Sequence, residues 1–225
     1  MHDRIGGKMR KENRTYYFSV EGETEQWYLE WLQSAINAET SAKYTVKLDS
    51  KVQKDPLARV KRMTMIGKTE ITHIFDYESE EEIHVKQFQT TIERMKKAEN
   101  LGKNIKYYLG YSNFTFELWM ILHITECNGT IAHRRQYLKS LNYAYKENFE
   151  NLDQYKHENN FKRILKKLTL ENVRQAIDRS KLIIHRNKES GYCQQQYKGY
   201  KYYKENPSLA IWESIERILK ECEIL

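Results

Sequence analysis

The sequence predicts an α/β fold: a parallel-dominated sheet flanked by helices over residues 15–129, then a basic, mostly helical region over 130–225. Three observations point there. Runs of β-branched and aromatic residues alternate with stretches of helical periodicity four times in roughly the first 120 residues, which implies right-handed crossovers and parallel strands. Strand signals fade after Thr130 and helical patterns take over. The charge divides at the same place: of 38 Lys/Arg and 31 Asp/Glu in the whole chain, 17 and 7 respectively fall in residues 130–204.

The elements follow in order. Residues 1–14 are polar and basic and read as a flexible arm. Thr15–Val20 is aromatic and β-branched and reads as a strand. After the Glu21-Gly22-Glu23-Thr24 turn, Trp27, Tyr28, Trp31, Leu32 and Ala35 recur at helical spacing to about Ala38, with Thr24 as N-cap. Tyr44–Leu48 reads as a second strand, and Pro56 opens a helix to about Ile66. Ile71–Phe75 is the third strand. Ile83, Phe88, Ile92 and Met95 mark one face of a helix over 81–99. Ile105–Leu109 is the fourth strand, followed by Gly110–Asn113 and then an apolar helix from about Phe116 to Ile124. Beyond it, 138–145, 161–168, 171–184 and 208–222 read as helices, with a loop at 190–206.

Composition excludes several classes. With 40% hydrophobic residues, nine Gly and two Pro, the chain is neither collagen-like nor low in core-forming residues. No apolar run approaches the roughly 18 residues of a membrane span, and the amino terminus has no signal-peptide core; the expectation is a cytoplasmic protein without membrane association. Cys127, Cys193 and Cys222 are far apart and fit neither a disulfide framework nor a zinc site. There is no Walker-type phosphate loop and no GxSxG elbow.

Two acidic groups sit where an open parallel sheet places its ligands, beyond the carboxyl ends of the strands. The first strand ends in Glu21, with Glu25 in the following helical turn. The third ends in Asp76-Tyr77-Glu78, where alternation points both acids to one side. If the two strands are neighbours, four carboxylates converge, a self-repelling set that calls for a compensating cation. Oxygen-only donors suit Mg²⁺ or Mn²⁺. The bland reading is that Glu23 and Glu25 complement a helix dipole and Asp76 caps a helix; Glu80, Glu81 and Glu82 read as a solvated helix start.

A strand ending in an acid-glycine turn and another ending in an acid-x-acid pair resemble the Toprim catalytic domain. More closely, VEGETE at 20–25, SNFTFELWMILH at 112–123 and the Asn206-Pro207-Ser208 segment resemble RloB-like proteins, a Toprim-related family, and these matches run from residue 15 to about 210. The resemblance implies a Toprim-like fold, divalent-metal phosphodiester chemistry and a role in bacterial anti-phage defence of the AbiL abortive-infection type, alongside an ABC- or AAA-type ATPase partner. By position, Glu21 matches the Toprim acid that acts as general acid/base or metal ligand, Glu25 the second acid of the turn, and Asp76 the leading acid of the pair. Glu78 stands where the motif has Asp, and Asn113-Phe114-Thr115 where Asn-Pro and a small residue are expected.

Other candidates carry two readings. Glu117, in an otherwise apolar helix, is either a further metal ligand or a buried ion-pair partner of a lysine. Ser112 and Asn113 at the fourth strand tip are candidate substrate contacts. His73 and His123 read as hydrogen-bonded core histidines. Residues 192–204 interleave tyrosines and lysines: Tyr197, Lys198, Tyr200 and Lys201 either stack bases and neutralise phosphates or pack on the sheet. Arg134 and Arg135 extend the basic character.

These observations lead to an expected Mg²⁺- or Mn²⁺-dependent endonuclease acting on DNA, tRNA or other RNA. Its candidate catalytic and metal residues are Glu21, Glu25, Asp76 and Glu78, joined by Glu117 as a metal ligand; a homodimer is left open. The alternative is a non-catalytic nucleic-acid-binding or regulatory subunit docking on an ATPase through Trp27 and Trp31.

Overall fold

The structure is a computed structural model describing residues 11–64, 67–102, 104–129 and 131–225. Its elements run β1 (Asn13–Val20), α1 (Glu23–Ala38), β2 (Thr45–Val52), α2 (Pro56–Lys61), β3 (Thr69–Tyr77), α3 (Glu82–Glu99), β4 (Ile105–Asn113) and α4 (Glu117–Leu122). A 3₁₀ turn at Arg134–Gln136 leads into α5 (Tyr137–Tyr145), α6 (Leu152–Lys156), α7 (Glu158–Leu165) and α8 (Leu170–Glu189). The short strands β5 (Gln195–Tyr197) and β6 (Tyr200–Tyr202) and the helix α9 (Ile211–Glu221) complete the chain. The four long strands form one parallel sheet in the order β2-β1-β3-β4, while β5 and β6 pair antiparallel.

The sequence-derived alternation of strands and helices is therefore correct, and the differences lie at boundaries. Residues 1–10 of the expected arm lie outside the described residues, and Asn13 and Arg14 belong to β1 because they pair with Thr45 and Val46. The helix from Pro56 ends at Lys61. The fourth strand continues through Gly110–Asn113: Gly110 lies opposite Ile74, and a Cβ there would approach the His73 carbonyl oxygen to 3.1 Å. Glycine here is a close-packing residue, not a breaker. Helix α1 starts at Glu23 with Gly22, not Thr24, at the N-cap, and no side chain caps it.

The loop expected at 190–206 contains the β5–β6 hairpin. Its two-residue turn, Lys198-Gly199, has φ of 50° and 91°. Two positive-φ residues are what a tight hairpin of this kind requires, and only Gly199 advertises it.

Each face of the sheet buries its own cluster. Phe18, Val20, Val46, Leu48 and Ile74 pack against buried residues of α1, α4, α5 and α7–α9, including Leu29, Trp119, Leu141, Phe161, Ile177 and Ile215. On the other face Ile71, Phe75, Tyr107 and Tyr111 pack against Val60 of α2, Phe88, Ile92 and Met95 of α3, and Tyr202 of the hairpin. The first cluster runs from Phe18 to Ile224. The change at residue 130 is thus a change of secondary structure, not a break in the core. Trp27 and Trp31 are only partly exposed: Trp27 lies 6.0 Å from the Phe161 ring of α7, and Trp31 5.6 Å from Tyr28.

Edge strand β4 is covered rather than left open. Asn113 N–H donates to the Ser208 carbonyl at 2.9 Å, and Ala210 N–H donates to the Tyr111 carbonyl at 2.8 Å. The returning segment thereby occupies backbone groups that would otherwise be free to pair with another chain.

Phe161 is fully buried and also packs 5.5 Å from Tyr155. Truncation to alanine removes a contact shared by the helical region and α1, and Phe161→Ala is expected to cost about 3–5 kcal/mol. In urea unfolding of the whole chain this appears as a lower midpoint with an unchanged slope.

Candidate functional site at the strand tips

Parallel pairing of β1 and β3 sets Val20 opposite Ile74, so the chain leaves β1 at Glu21 beside the last residues of β3. Asp76 N–H donates to Glu21 Oε2 at 3.3 Å. The neighbour relation required by the sequence reading is met, and Glu21 and Asp76 come together. Gly22 has φ −141°, an ordinary extended value. Its smallness matters for another reason: a Cβ at this position would stand 3.1 Å from Glu25 Oε2.

Alternation along β3 separates the surroundings. Ile71, Phe75 and Tyr77 belong to the α3-facing cluster, whereas Ile74 belongs to the opposite one. Asp76 shares the side of Ile74 and is electrostatically coupled to Glu25, Glu117 and Lys156. Glu25, 5% exposed, accepts a hydrogen bond from Thr24 Oγ1 at 3.1 Å. Glu117 is fully buried in the first turn of α4 and accepts from Thr115 Oγ1. Lys156, the last residue of α6, brings Nζ to 3.1 Å from Glu117 Oε1. Glu117 therefore takes the ion-pair reading at rest, with Lys156 as the lysine.

Glu78 behaves differently. Its side chain is 43% exposed and lies 3.5 Å from His84 Nε2. Glu21 and Glu78 both line an open cleft of about 640 Å³ whose other walls include Lys54, Lys86 and Arg94. Glu21 thus stands between the inner carboxylates and a cleft edged with cations.

Electrostatics follow from this crowding. Burial first, then the neighbouring Glu25 and Glu78 charges, push Glu21 up to about 7, with the Asp76 amide opposing the shift. Burial, then Glu21, Glu25 and Glu117, hold the Asp76 carboxyl well above its ordinary range. Burial also raises Glu25, with the Glu117 charge adding to it. Burial opposes the charge on Lys156, but Glu117, Asp76 and Glu25 outweigh it and raise its pKa. These are the marks of a site whose charges await a compensating partner.

An all-oxygen, buried and mutually repelling donor set has the chemistry of a hard divalent cation site. In the resting arrangement, however, no group of three or more His, Cys, Asp or Glu side chains among the described residues is placed to hold a metal ion. Lys156 is the cation inside the cluster.

The remaining sequence candidates lie elsewhere or have other partners. Asn113 opposes Tyr77 at the tip of β4, and its Nδ2 donates to the Lys204 and Tyr203 carbonyls at 3.2 and 3.4 Å. Ser112 is buried beside it and forms a bridge with Leu209. The Tyr197 hydroxyl donates to Glu93, and the Tyr200 hydroxyl to Glu99, at 2.6 and 3.2 Å. Tyr200 and Lys201 line a cavity with Lys106 and Tyr107, at the start of β4 and so at the opposite end of the sheet from Glu21. Lys198 and Lys201 are exposed there. Arg134 and Arg135 are exposed on the 3₁₀ turn. His73 and His123 are fully buried; burial lowers them to about 3 and 4, and each is hydrogen-bonded, to Ser19 and to Tyr28 and the Trp119 carbonyl.

Lys156, Lys54, Lys86 and Arg94 escaped the sequence reading. A lysine ending a five-residue helix, and cations scattered over a loop and one helix, carry no local signal.

The RloB-like protein family model matches residues 16–218, which is most of the chain. The chain belongs to the RloB-like family. The match extends from β1 through most of α9, so the sheet, both faces of helices and the returning segment are all within the family's extent. No curated protein matches the chain. The described residues contain no helix long and apolar enough to cross a membrane.

Raised carboxyl pKa values fix the sign of a pH effect. With Glu21 moved from 4.5 to about 7, the native state holds more protons than the unfolded chain between those values, so stability falls as pH rises through that window. In metal-free buffer the contribution is of the order of 3 kcal/mol. Glu21→Gln is expected to flatten the dependence of the thermal midpoint on pH between 4.5 and 7 and to raise the midpoint at neutral pH. A variant curve parallel to wild type contradicts the assignment.

Proposed function

We propose that this RloB-like protein is a divalent-metal-dependent nuclease whose chemistry resides at the tips of β1 and β3. The observation that carries the reading is the joining of Glu21 and Asp76 across neighbouring strands, with Asp76 N–H on Glu21 Oε2 at 3.3 Å and both carboxyls pushed upward. Glu21, Glu25 and Asp76 would hold Mg²⁺ or Mn²⁺, with Glu117 and Glu78 at the inner and outer margins. Once bound, such an ion supplies a more acidic water and charge stabilisation at phosphorus.

The chain's own residues prepare the rest. Glu21, titrating near neutrality, can take up or release a proton at its carboxylate where it meets the cleft. Lys54 and Lys86 line that cleft and would receive backbone phosphates, as binding of a polyanion requires, while Arg94 is ion-paired there with Asp55. Lys156 neutralises Glu117 and tempers the field at Asp76 while no other cation is present. Buried Trp119, Tyr28 and Phe116 close the site from beneath. The family relationship supports the wider reading of a defence effector working with an ATPase partner.

Plasmid DNA and tRNA incubated with the purified chain and Mn²⁺ or Mg²⁺ test the proposal. Cleavage is expected, and Glu21→Ala or Asp76→Ala should lower it at least about 100-fold without loss of folding. Mn²⁺ should raise the wild-type thermal midpoint, as ligand binding to the native state does, and should raise it less in Asp76→Ala. Nucleic-acid binding without cleavage under any of these conditions would instead support the binding-subunit alternative.

A further inference from the structure

A second cavity opens on the other side of the same strand tip. It measures about 360 Å³ and is lined by Tyr77, Asn113, Phe114, Tyr192, Glu205 and Asn206, among others, a size within the range of small-ligand pockets. Tyr77 and Asn113 are register partners at the ends of β3 and β4, and both are buried. Asp76 precedes Tyr77 and faces the carboxylate cluster, so two environments meet across one strand.

The polar atoms here are unusual in being left over. Asn113 Oδ1, Asn206 Oδ1, Glu205 Oε2 and the Tyr77 hydroxyl have no hydrogen-bond partner. Asn113 Nδ2 already donates to two carbonyls, which fixes the amide orientation and leaves its oxygen as the free end. Asn206 Nδ2 is likewise engaged, on the Tyr137 hydroxyl at 3.0 Å. Buried acceptors without donors are costly, and three of them around one cavity specify a ligand rich in N–H groups. The walls are aromatic: Tyr77, Phe114 and Tyr192.

Phe114 adds an independent mark. Its φ is 60°, a left-handed conformation rare for a bulky residue, and its N–H is held by the Tyr77 carbonyl at 2.8 Å. Strain of this kind persists where the surroundings enforce it, and it concentrates at binding sites.

We propose that this cavity receives an unpaired guanine base of the nucleic acid whose backbone lies at the carboxylate site, with the Glu205 and Asn206 oxygens accepting from its N1–H and N2 amino groups. The inference rests on the nuclease reading for the identity of the polymer, but the recognition chemistry is its own. Guanine offers two adjacent N–H donors on one edge. Adenine and cytosine offer a single amino group beside a ring acceptor, and uracil or thymine would turn carbonyls toward protein oxygens. Reading of an unpaired base by its Watson–Crick edge between aromatic side chains is a common mode for single strands. Glu205 and Asn206 are half-buried and Tyr192 is exposed, so side-chain rotation at the rim brings the free oxygens to the ligand. Lys204 lines the cavity, and Arg134 and Arg135 follow its wall residues Ile131 and Ala132, supplying cations for flanking phosphates.

Calorimetric titration of the whole chain in chelator with GMP, IMP, AMP, CMP and UMP tests this. GMP is expected to bind about tenfold or more tightly than AMP, CMP and UMP, with IMP, which lacks the N2 amine, between them. Glu205→Ala should weaken GMP about tenfold and erase its advantage over IMP, while Tyr192→Ala, an exposed and readily tolerated change, should weaken GMP and IMP alike. Equal affinity for all five nucleotides, absence of GMP binding at millimolar concentration, or unchanged GMP binding by both variants overturns the proposal. The two readings fail separately: GMP binding by a chain that cuts nothing removes the nuclease and keeps the pocket. Cleavage without GMP binding does the reverse.

Discussion

The parallel pairing of β1 with β3 is the constraint on which the site depends. Residues 17–20 lie against 71–74, and this short register delivers Glu21 to the Asp76 amide. In a sheet a slip of one residue reverses every side chain. Here it would turn Asp76 toward Phe88 and Ile92, where a carboxylate has no partner, and drive Phe75 and Tyr77 into the opposite face, already filled beside Ile74. The two hydrophobic clusters therefore fix the placement of the acids, because neither face tolerates the alternative. Neighbouring carboxylates disfavour each other, so their convergence must be imposed by packing elsewhere. Phe18, Val20 and Ile74 supply that packing directly beneath them.

The acids are not equivalent. Glu25 and Glu117 lie deep beside α4 and α6, Glu78 is at the surface, and Glu21 touches both environments. Such a gradient gives one group, Glu21, a pKa near neutrality while its deeper neighbours experience mainly burial and one another. Lys156 makes the metal-free chain tolerable by placing an ammonium against Glu117. Because that ammonium also responds to Asp76 and Glu25, any cation entering the cluster changes the environment of the α6 end. The acids at the strand tips and the helical region are coupled by charge as well as by packing.

Much of this was legible in the sequence. The four strands, their connecting helices and the acidic ends of β1 and β3 each leave a local pattern, and the order of those patterns implies a parallel sheet. Glu21 and Asp76 were legible because strand ends can be placed from composition. What sequence could not display was which side of each strand its neighbours would fill. Gly110 gave no sign of its role, because room for the His73 carbonyl is a cross-strand matter. Tyr197 and Tyr200 read either as a stacking platform or as packing on the sheet, and the partners of their hydroxyls, Glu93 and Glu99, lie more than 100 residues away in sequence. Lys156 was silent for the same reason: its partner is fixed only when α6 packs against α4.

The segment from Tyr203 to Ala210 joins these themes. It covers the edge of β4 through backbone bonds at Asn113 and Tyr111, and the same contacts carry Glu205 and Asn206 to the strand tip. An edge strand needs covering whatever the protein does. A covering chain that arrives with free acceptors, however, leaves unsatisfied groups that a purely protective strap would avoid. Asn113 spends its amide nitrogen anchoring that strap and keeps its oxygen free, so one residue both fixes the cover and contributes to the cavity. On the proposed reading, the consecutive residues Asp76 and Tyr77 would set a phosphate-binding site and a base pocket close together at one strand tip. The alternation of β3 thus gives two adjacent residues different surroundings, a carboxylate beside Glu21 and Glu25 and an aromatic wall of the cavity.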